Sequence, residues 1–309
     1  MAGKVYVTGA GGRLASAVLS KVNAVPLVRR ASGLKGEIVT DFSVDQLRSI
    51  LGDARAVIHL AGSIDARDSK TIHESNVGLT WRIVNAVPEG CKVVFSSSIS
   101  VYGKKLAKKP ADENTKTAPD TDYARTKLEA EGVVRKQKQH VILRIGTLYG
   151  PQFEDYFMIF DRLKAGKMRV VGDGKNRIPF VHADDVAAVI ASALEKGQGT
   201  YVVAGEPLSQ MEIYSVACKE LGVEPPKKSI PLAFAGLAAG IWEGASRAVG
   251  KKPRMTREHV AVLGNDRIFD CTKAKSELGF APRPLADGIR EMAAEYRKRA
   301  SGNVKNTNI

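Results

Sequence analysis

Beginning at the fourth residue, a strand runs straight into a glycine turn and then into a helix, a succession that few folds accommodate. Lys4 to Thr8 (KVYVT) is a short β-branched run ending in Gly9-Ala10-Gly11-Gly12. Beyond it, Leu14, Val18 and Val22 recur at every fourth position, which is helical spacing. Glycines at such a junction have a physical use. Gly9 permits the tight turn, Gly12 lets backbone approach a pyrophosphate, and Ala15 is small enough for close helix–strand packing. The helix start at Arg13 and Leu14 supplies N–H donors and the positive end of a dipole. A dinucleotide phosphate is therefore the expected ligand of Gly9, Gly12, Arg13 and Leu14.

The same alternation continues. Val25 to Val28 and Glu37 to Val39 read as strands, Val44 to Leu51 as a helix, and Ala56 to Ala61 (AVIHLA) as an apolar strand. A long helix to about Ala86 follows, then the strand Lys92 to Ser97, a helix from Asp122 to Lys138, and the strand His140 to Ile145. Strands apolar on both faces need cover on both sides, so the pattern predicts an α/β fold with a doubly wound parallel sheet of the Rossmann type. Ligands of such sheets bind at the carboxyl ends of strands. After Gly150-Pro151 the segments shorten and Pro and Gly multiply. We expect residues 1–150 to form the nucleotide-binding domain and residues 151–309 a smaller, interleaved C-terminal α/β lobe for substrate. A frayed tail is expected from about residue 300.

Composition excludes several classes. Cys91, Cys218 and Cys271 lie far apart, which is neither a disulfide framework nor a zinc site. The five histidines show no metal-ligand spacing, so no metal is expected. The N-terminus lacks an apolar signal region, making the cytoplasm the expected location. The strongly apolar stretch Pro231 to Trp242 falls short of the roughly 20 residues that span a bilayer. It reads as a buried or interface helix, with a membrane-surface role as the alternative.

Two further clusters carry chemistry. An acid after the second strand would hydrogen-bond the ribose 2′-hydroxyl of NAD; here Arg29 and Arg30 stand, and no acid follows until Glu37. Guanidinium forks match a 2′-phosphate, so NADP(H) is expected over NAD(H). Tyr123 and Lys127 lie one helical turn apart and share a face. A nearby ammonium favours a phenolate, and such a Tyr can exchange a proton with a substrate hydroxyl or carbonyl. Upstream, KVVFSS runs into Ser98, whose hydroxyl could bond the reacting oxygen; turn formation is the competing use of these serines.

With these residues assembled, the chain resembles the extended short-chain dehydrogenase/reductase superfamily, the NAD(P)-dependent epimerase/dehydratase group. VTGAGGRLA is similar to the family's nucleotide-binding turn, with Ala15 in place of the usual third glycine. The resemblance implies that Asp41 and Phe42 read adenine and that Leu60, Ala61 and Gly62 pass under the cofactor. It also implies cofactor contacts for the central-helix Asn76 and for Ser96 and Ile145 at two strand ends. Ser98, Tyr123 and Lys127 match its catalytic triad, with Lys127 also holding ribose. Tyr102 and Arg177 are the implied substrate-facing residues. Homodimerisation through helices around residues 70–86 and 122–138 is implied as well.

The resulting expectation is hydride transfer between NADP(H) and a secondary alcohol or ketone, with Tyr123 as general acid/base. The alternative is a nucleotide-sugar epimerase with tightly bound NAD. Gly146 and Thr147 stand where nucleotide-sugar members commonly carry Asn, and Ile99 and Ser100 stand where dehydratases place acids. A reading from another class is a non-catalytic RNA- or protein-binding member of the fold. The net charge of +14 keeps polyanions in view, yet Tyr102 is the only aromatic near the Lys104, Lys105, Lys108 and Lys109 cluster. Nucleic acid is thus an unfavoured partner, and peripheral membrane contact stays open.

Overall fold

Each strand of the first half buries alternate residues on opposite sides, and the structure supplies cover on both. It is a computed structural model describing residues 3–64, 68–248 and 256–305. In chain order the first elements are β1 (Lys4–Thr8), α1 (Arg13–Leu19), β2 (Val25–Val28), β3 (Ile38–Val39) and α2 (Val44–Leu51). Next come β4 (Ala54–His59), α3 (Ser69–His73), α4 (Leu79–Ala86), β5 (Lys92–Ser98), α5 (Asp122–Val134) and β6 (His140–Ile145). They are followed by β7 (Thr147–Tyr149), α6 (Phe157–Lys164), β8 (Val170–Val171), β9 (Arg177–His182), α7 (Ala183–Ala193) and β10 (Gly199–Val203). The last are β11 (Pro207–Ser209), α8 (Gln210–Leu221), β12 (Ser229–Ile230), α9 (Leu232–Ala248), α10 (Arg257–Leu263), α11 (Thr272–Leu278) and α12 (Leu285–Lys305).

Seven strands form one parallel sheet in the order β3-β2-β1-β4-β5-β6-β10. The order reverses between β1 and β4, which is where such sheets open a crevice for ligand. Val5 and Val7 of β1, Ala56 and Ile58 of β4, and Val141 and Leu143 of β6 pack with α1 and α7 on one face. Their neighbours Tyr6 and Val57 pack with α2 and α4 on the other, and Phe95 and Ile142 pack with α5. The sheet is therefore doubly wound, as the sequence pattern implies.

A second sheet, β11-β9-β7, and a strand pair, β12-β8, lie outside the first. Tyr149, Phe160, Tyr214, Leu285 and Ile289 form a separate core beside them. The chain interleaves: α7 and β10 return to the large sheet, as do Cys271 and Leu278 around α11.

Local differences from the sequence reading have local causes. The long helix to Ala86 is three pieces, because Glu74–Gly78 winds as a wider π-turn between α3 and α4. α5 stops at Val134, four residues before Lys138, with Arg135 as its cap. α12 continues past residue 300 to Lys305, and residues 306–309 lie outside the described ones.

Candidate active site

The turn after β1 is built by backbone, not side chains. Gly9 has φ +70°, and a Cβ there would lie 2.6 Å from the backbone nitrogen of Ala61. Gly9 thus lets the turn press against the loop after β4. Gly12 caps α1 with no side-chain hydrogen bond, and the first turn of α1 holds no acid. The leading amides of a helix have no partner within it, so this end is suited to an anion. Leu14 is buried beneath, while the Arg13 guanidinium crosses to Asp155 at 2.7 Å and lies 4.7 Å from the Phe153 ring centroid.

Arg29 and Arg30 follow β2 and are exposed. Among the described residues neither has a carboxylate within ion-pair distance, and Arg29 lies 5.9 Å from the Phe42 ring centroid. The nearest acid in sequence is occupied. Glu37 accepts hydrogen bonds from Ser32 N–H and O–H, Gly33 N–H and Leu34 N–H, and these hold its carboxyl down at about 2. Asp41 is exposed and accepts from Ser43 N–H at 2.7 Å, which holds its carboxyl below the usual range. Phe42 differs from a surface reader: its ring is 3% exposed in the core, and its N–H is bonded to Thr40.

Lys127 is the central surprise in electrostatics. It is 4% exposed, with Nζ 4.3 Å from the Phe95 ring centroid. Burial pushes its ammonium down to about 8, against the opposing pull of Glu131. A Cβ on Gly62 would stand 3.7 Å from Lys127 Nζ and 2.9 Å from Asn76 Oδ1, so only glycine lets the backbone approach both side chains this closely. Tyr123 sits in the first turn of α5, whose start is fixed by Thr121 accepting from Ala124 N–H. Ser98 ends β5 and caps the short turn Ile99–Tyr102 by accepting from Ser100 N–H at 3.1 Å. Its own hydroxyl hydrogen can still be donated. Turn formation and a role beside Tyr123 are therefore compatible.

Asn76 ties these parts together. Its Oδ1 accepts from Ser63 N–H at 2.7 Å, and its Nδ2 donates to Thr126 Oγ1 at 2.9 Å. Thr126 in turn donates to the Tyr123 carbonyl. A row missed in the sequence lies beneath. Thr80 donates to the Asn76 carbonyl, so its oxygen is left to accept from His59 Nε2 at 2.9 Å. His59 Nδ1 then accepts from Thr8 at 2.7 Å, and Thr8 accepts from Ala61 N–H. Full burial, with Lys127 nearby, pushes His59 down to about 3, so this row stays neutral. Glu131 and Arg144 were also missed as partners. Lys127 and Glu131 are four apart on one helix, and Arg144 is a charge inside an apolar strand; those were the available signals.

The other expected residues are placed as follows. Ser96 is half-buried on β5, and Ile145 is buried at the end of β6, paired with Ser98 across the sheet. Leu60 and Ala61 are half-buried directly after β4. Arg177 is exposed at the start of β9. Tyr102 is corrected: it has no exposed surface, donates to the Asp112 carbonyl and accepts from Arg144, and so is a core strut and not a substrate contact.

Residues 5–205 match the model of the NAD dependent epimerase/dehydratase family. This chain belongs to that family. Among its relatives, the Sinorhizobium fredii protein y4nG, itself uncharacterized, is 33% identical over 262 residues, covering 81% of this chain and 64% of its own. The 3beta-hydroxysteroid-dehydrogenase/decarboxylase isoform 1 of Arabidopsis thaliana is 27% identical over 288 residues, covering 83% of this chain and 65% of its own. The chain thus spans just under two-thirds of the length of these relatives. The UDP-N-acetylglucosamine 4-epimerase of Bacillus cereus has the same fold, with a TM-score of 0.75, 21% identity and coverage of 96% of this chain and 100% of its own. In this family member the glycine turn after β1, Gly62 after the adjacent β4 and the Asn76–Lys127 corner beside it stand along the sheet's carboxyl edge, the rim of the site. Among the described residues no His, Cys, Asp and Glu group could hold a metal ion.

Proposed function

We propose that this chain is an NAD(P)-dependent oxidoreductase acting on a secondary alcohol or ketone. The observation that carries the reading is the buried ammonium of Lys127, one helical turn from Tyr123 and packed close to Gly62, which admits no side chain. The rim fits a dinucleotide: backbone amides at α1 for pyrophosphate, and exposed Arg29 and Arg30 for a phosphate-bearing ribose. The bound nicotinamide would supply or accept the hydride. Tyr123 gives a proton to the substrate oxygen in reduction and takes one in oxidation. Lys127 favours the phenolate by its charge and reaches the ribose. Ser98 donates a hydrogen bond to the same substrate oxygen.

NADP(H) is the proposed cofactor, because Glu37 is committed to its own loop and Arg29 and Arg30 face no acid among the described residues. The reaction named for the Arabidopsis relative supports an alcohol or ketone substrate. A second reading, nucleotide-sugar epimerisation with NAD, draws support from the fold shared with the Bacillus cereus epimerase.

The test is NADPH and NADH oxidation with a panel of ketones, beside conversion of UDP-sugars without net cofactor turnover. Tyr123→Phe should lower turnover about 10²- to 10⁴-fold with cofactor affinity retained. Unchanged turnover in that variant would remove Tyr123 from proton transfer. Epimerisation without ketone reduction would replace the first reading by the second.

A further inference from the structure

Six of the ten large apolar side chains that are exposed among the described residues lie between Ile230 and Trp242. They belong to one helix and the strand before it. α9 buries its inner side, with Ala235 and Ala239 packed on Val171 and Val260, and its Gly240 sits tightly under Arg257. The outer side carries Phe234, Leu237 and Ile241 at helical spacing of three and four, each more than 60% exposed, with Trp242 alongside. A contiguous patch of this kind on a folded protein marks an interaction surface.

Charge decides what the surface fits. Residues 227–257 contain seven Lys and Arg (Lys227, Lys228, Arg247, Lys251, Lys252, Arg254 and Arg257) against a single acid, Glu243. That acid is engaged with the backbone of Arg257. The whole chain carries +14. A second copy seated on this face would bring two strongly basic segments together, whereas an anionic surface neutralises them. No described helix is long and apolar enough to cross a membrane, and α9 has 17 residues. An aromatic and aliphatic outer face with basic flanks is the design of a helix lying in the plane of a bilayer, apolar side down.

We propose that α9 docks this protein onto the surface of an anionic lipid bilayer, with Phe234, Leu237, Ile241 and Trp242 inserted among the acyl chains and the exposed Lys227 and Lys228, just before β12, on the headgroups. The inference is independent of the reaction proposed above. It also accounts for basic charge that lies away from the nucleotide rim.

The full chain should be sedimented with vesicles of phosphatidylglycerol in phosphatidylcholine, and with phosphatidylcholine alone. Binding is expected to the first, to fall by about tenfold or more for the double variant Phe234→Ser with Ile241→Ser, and to weaken as salt rises. These positions are exposed, so circular dichroism and cofactor binding should match the parent. In a Trp81→Phe background, the emission of Trp242 should shift to the blue with anionic vesicles. Absence of sedimentation by the parent, equal sedimentation by the double variant, or equal binding to neutral vesicles would each overturn the proposal. So would a parent dimer that the double variant splits into monomers with no change in vesicle binding, which would assign the face to a second copy.

Discussion

Arg144 on β6 donates to both carboxylate oxygens of Glu131 on α5, through Nε at 3.0 Å and Nη2 at 2.8 Å, and neither side chain reaches solvent appreciably. Ser97 and Arg135 complete the ring of donors around the carboxylate. Burial alone would raise Glu131, yet these donors hold it below the usual carboxylate range. The clamp fixes the helix carrying Tyr123 and Lys127 to the strands beneath it. Breaking one side of a buried pair leaves an uncompensated charge and costs about 3–5 kcal/mol. Glu131→Gln should therefore lower stability by roughly that amount in denaturant titration, while Glu131→Leu combined with Arg144→Met recovers most of it. In Glu131→Gln, Lys127 also loses the charge that favours its ammonium, so the alkaline limb of the activity profile moves to lower pH.

Lys127 itself is held against its own stability. Its ammonium falls from 10.5 to about 8 on burial, and each pH unit corresponds to about 1.4 kcal/mol, so the charged form is disfavoured by roughly 3 kcal/mol. Contact with Phe95 returns some of this. Lys127→Met in the cofactor-free protein should melt no lower than the parent at neutral pH, while losing activity. Because the folded pKa lies below the unfolded one, the unfolded chain binds more protons between them. The parent should therefore gain on Lys127→Met as pH rises from about 8 towards 10.5, in paired melting curves. A large loss of stability in the variant at neutral pH would contradict this account.

The large sheet was legible because β-branched runs and helical spacing repeat on a scale that local sequence carries. The glycine turn was legible for the same reason, since strand, turn and helix are contiguous from Lys4 to Leu19. What was not legible depends on distant pairing. The resemblance implied that Tyr102 faces substrate, but Arg144 and the Asp112 carbonyl draw its hydroxyl into the core. The row from Thr8 through His59 to Thr80 joins β1, β4 and α4, and no local pattern states that they meet. Glu131 resembled any solvated helix carboxylate until β6 placed Arg144 against it.

The two glycines of the turn should separate folding from binding. Gly9→Ala meets both a left-handed backbone and the nitrogen of Ala61 at 2.6 Å. Left-handed backbone alone costs about 1–2 kcal/mol for an L-residue, so the variant should lose at least that in stability. Gly12 has φ −81°, which any residue adopts, and a Cβ would meet only the Gly9 carbonyl at 3.0 Å. Gly12→Ala should keep a near-parental melting temperature yet bind dinucleotide more weakly, because the new methyl group stands where phosphate approaches. Calorimetry and fluorescence titration with NADPH on both variants would distinguish them. Equal loss of stability in the two would mean that Gly12 serves packing.

Arg29 and Arg30 give the sharpest test of cofactor choice. Both are exposed after β2, and among the described residues neither is held by a carboxylate. Hydrogen bonds from a guanidinium to phosphate are worth about 1.5–3 kcal/mol, or about 10- to 100-fold in affinity. Arg29→Ala and Arg30→Ala together should raise the Kd for NADPH by at least that factor and leave NADH nearly unchanged, since only the first carries the 2′-phosphate. The effect should shrink in high salt, because the site is open to solvent. Arg30→Asp adds an acceptor for a ribose 2′-hydroxyl and should turn the preference towards NADH. Equal weakening of both nucleotides would locate the arginines at the shared pyrophosphate, and tighter binding of NADH by the parent chain would exclude NADP(H) as its preferred cofactor.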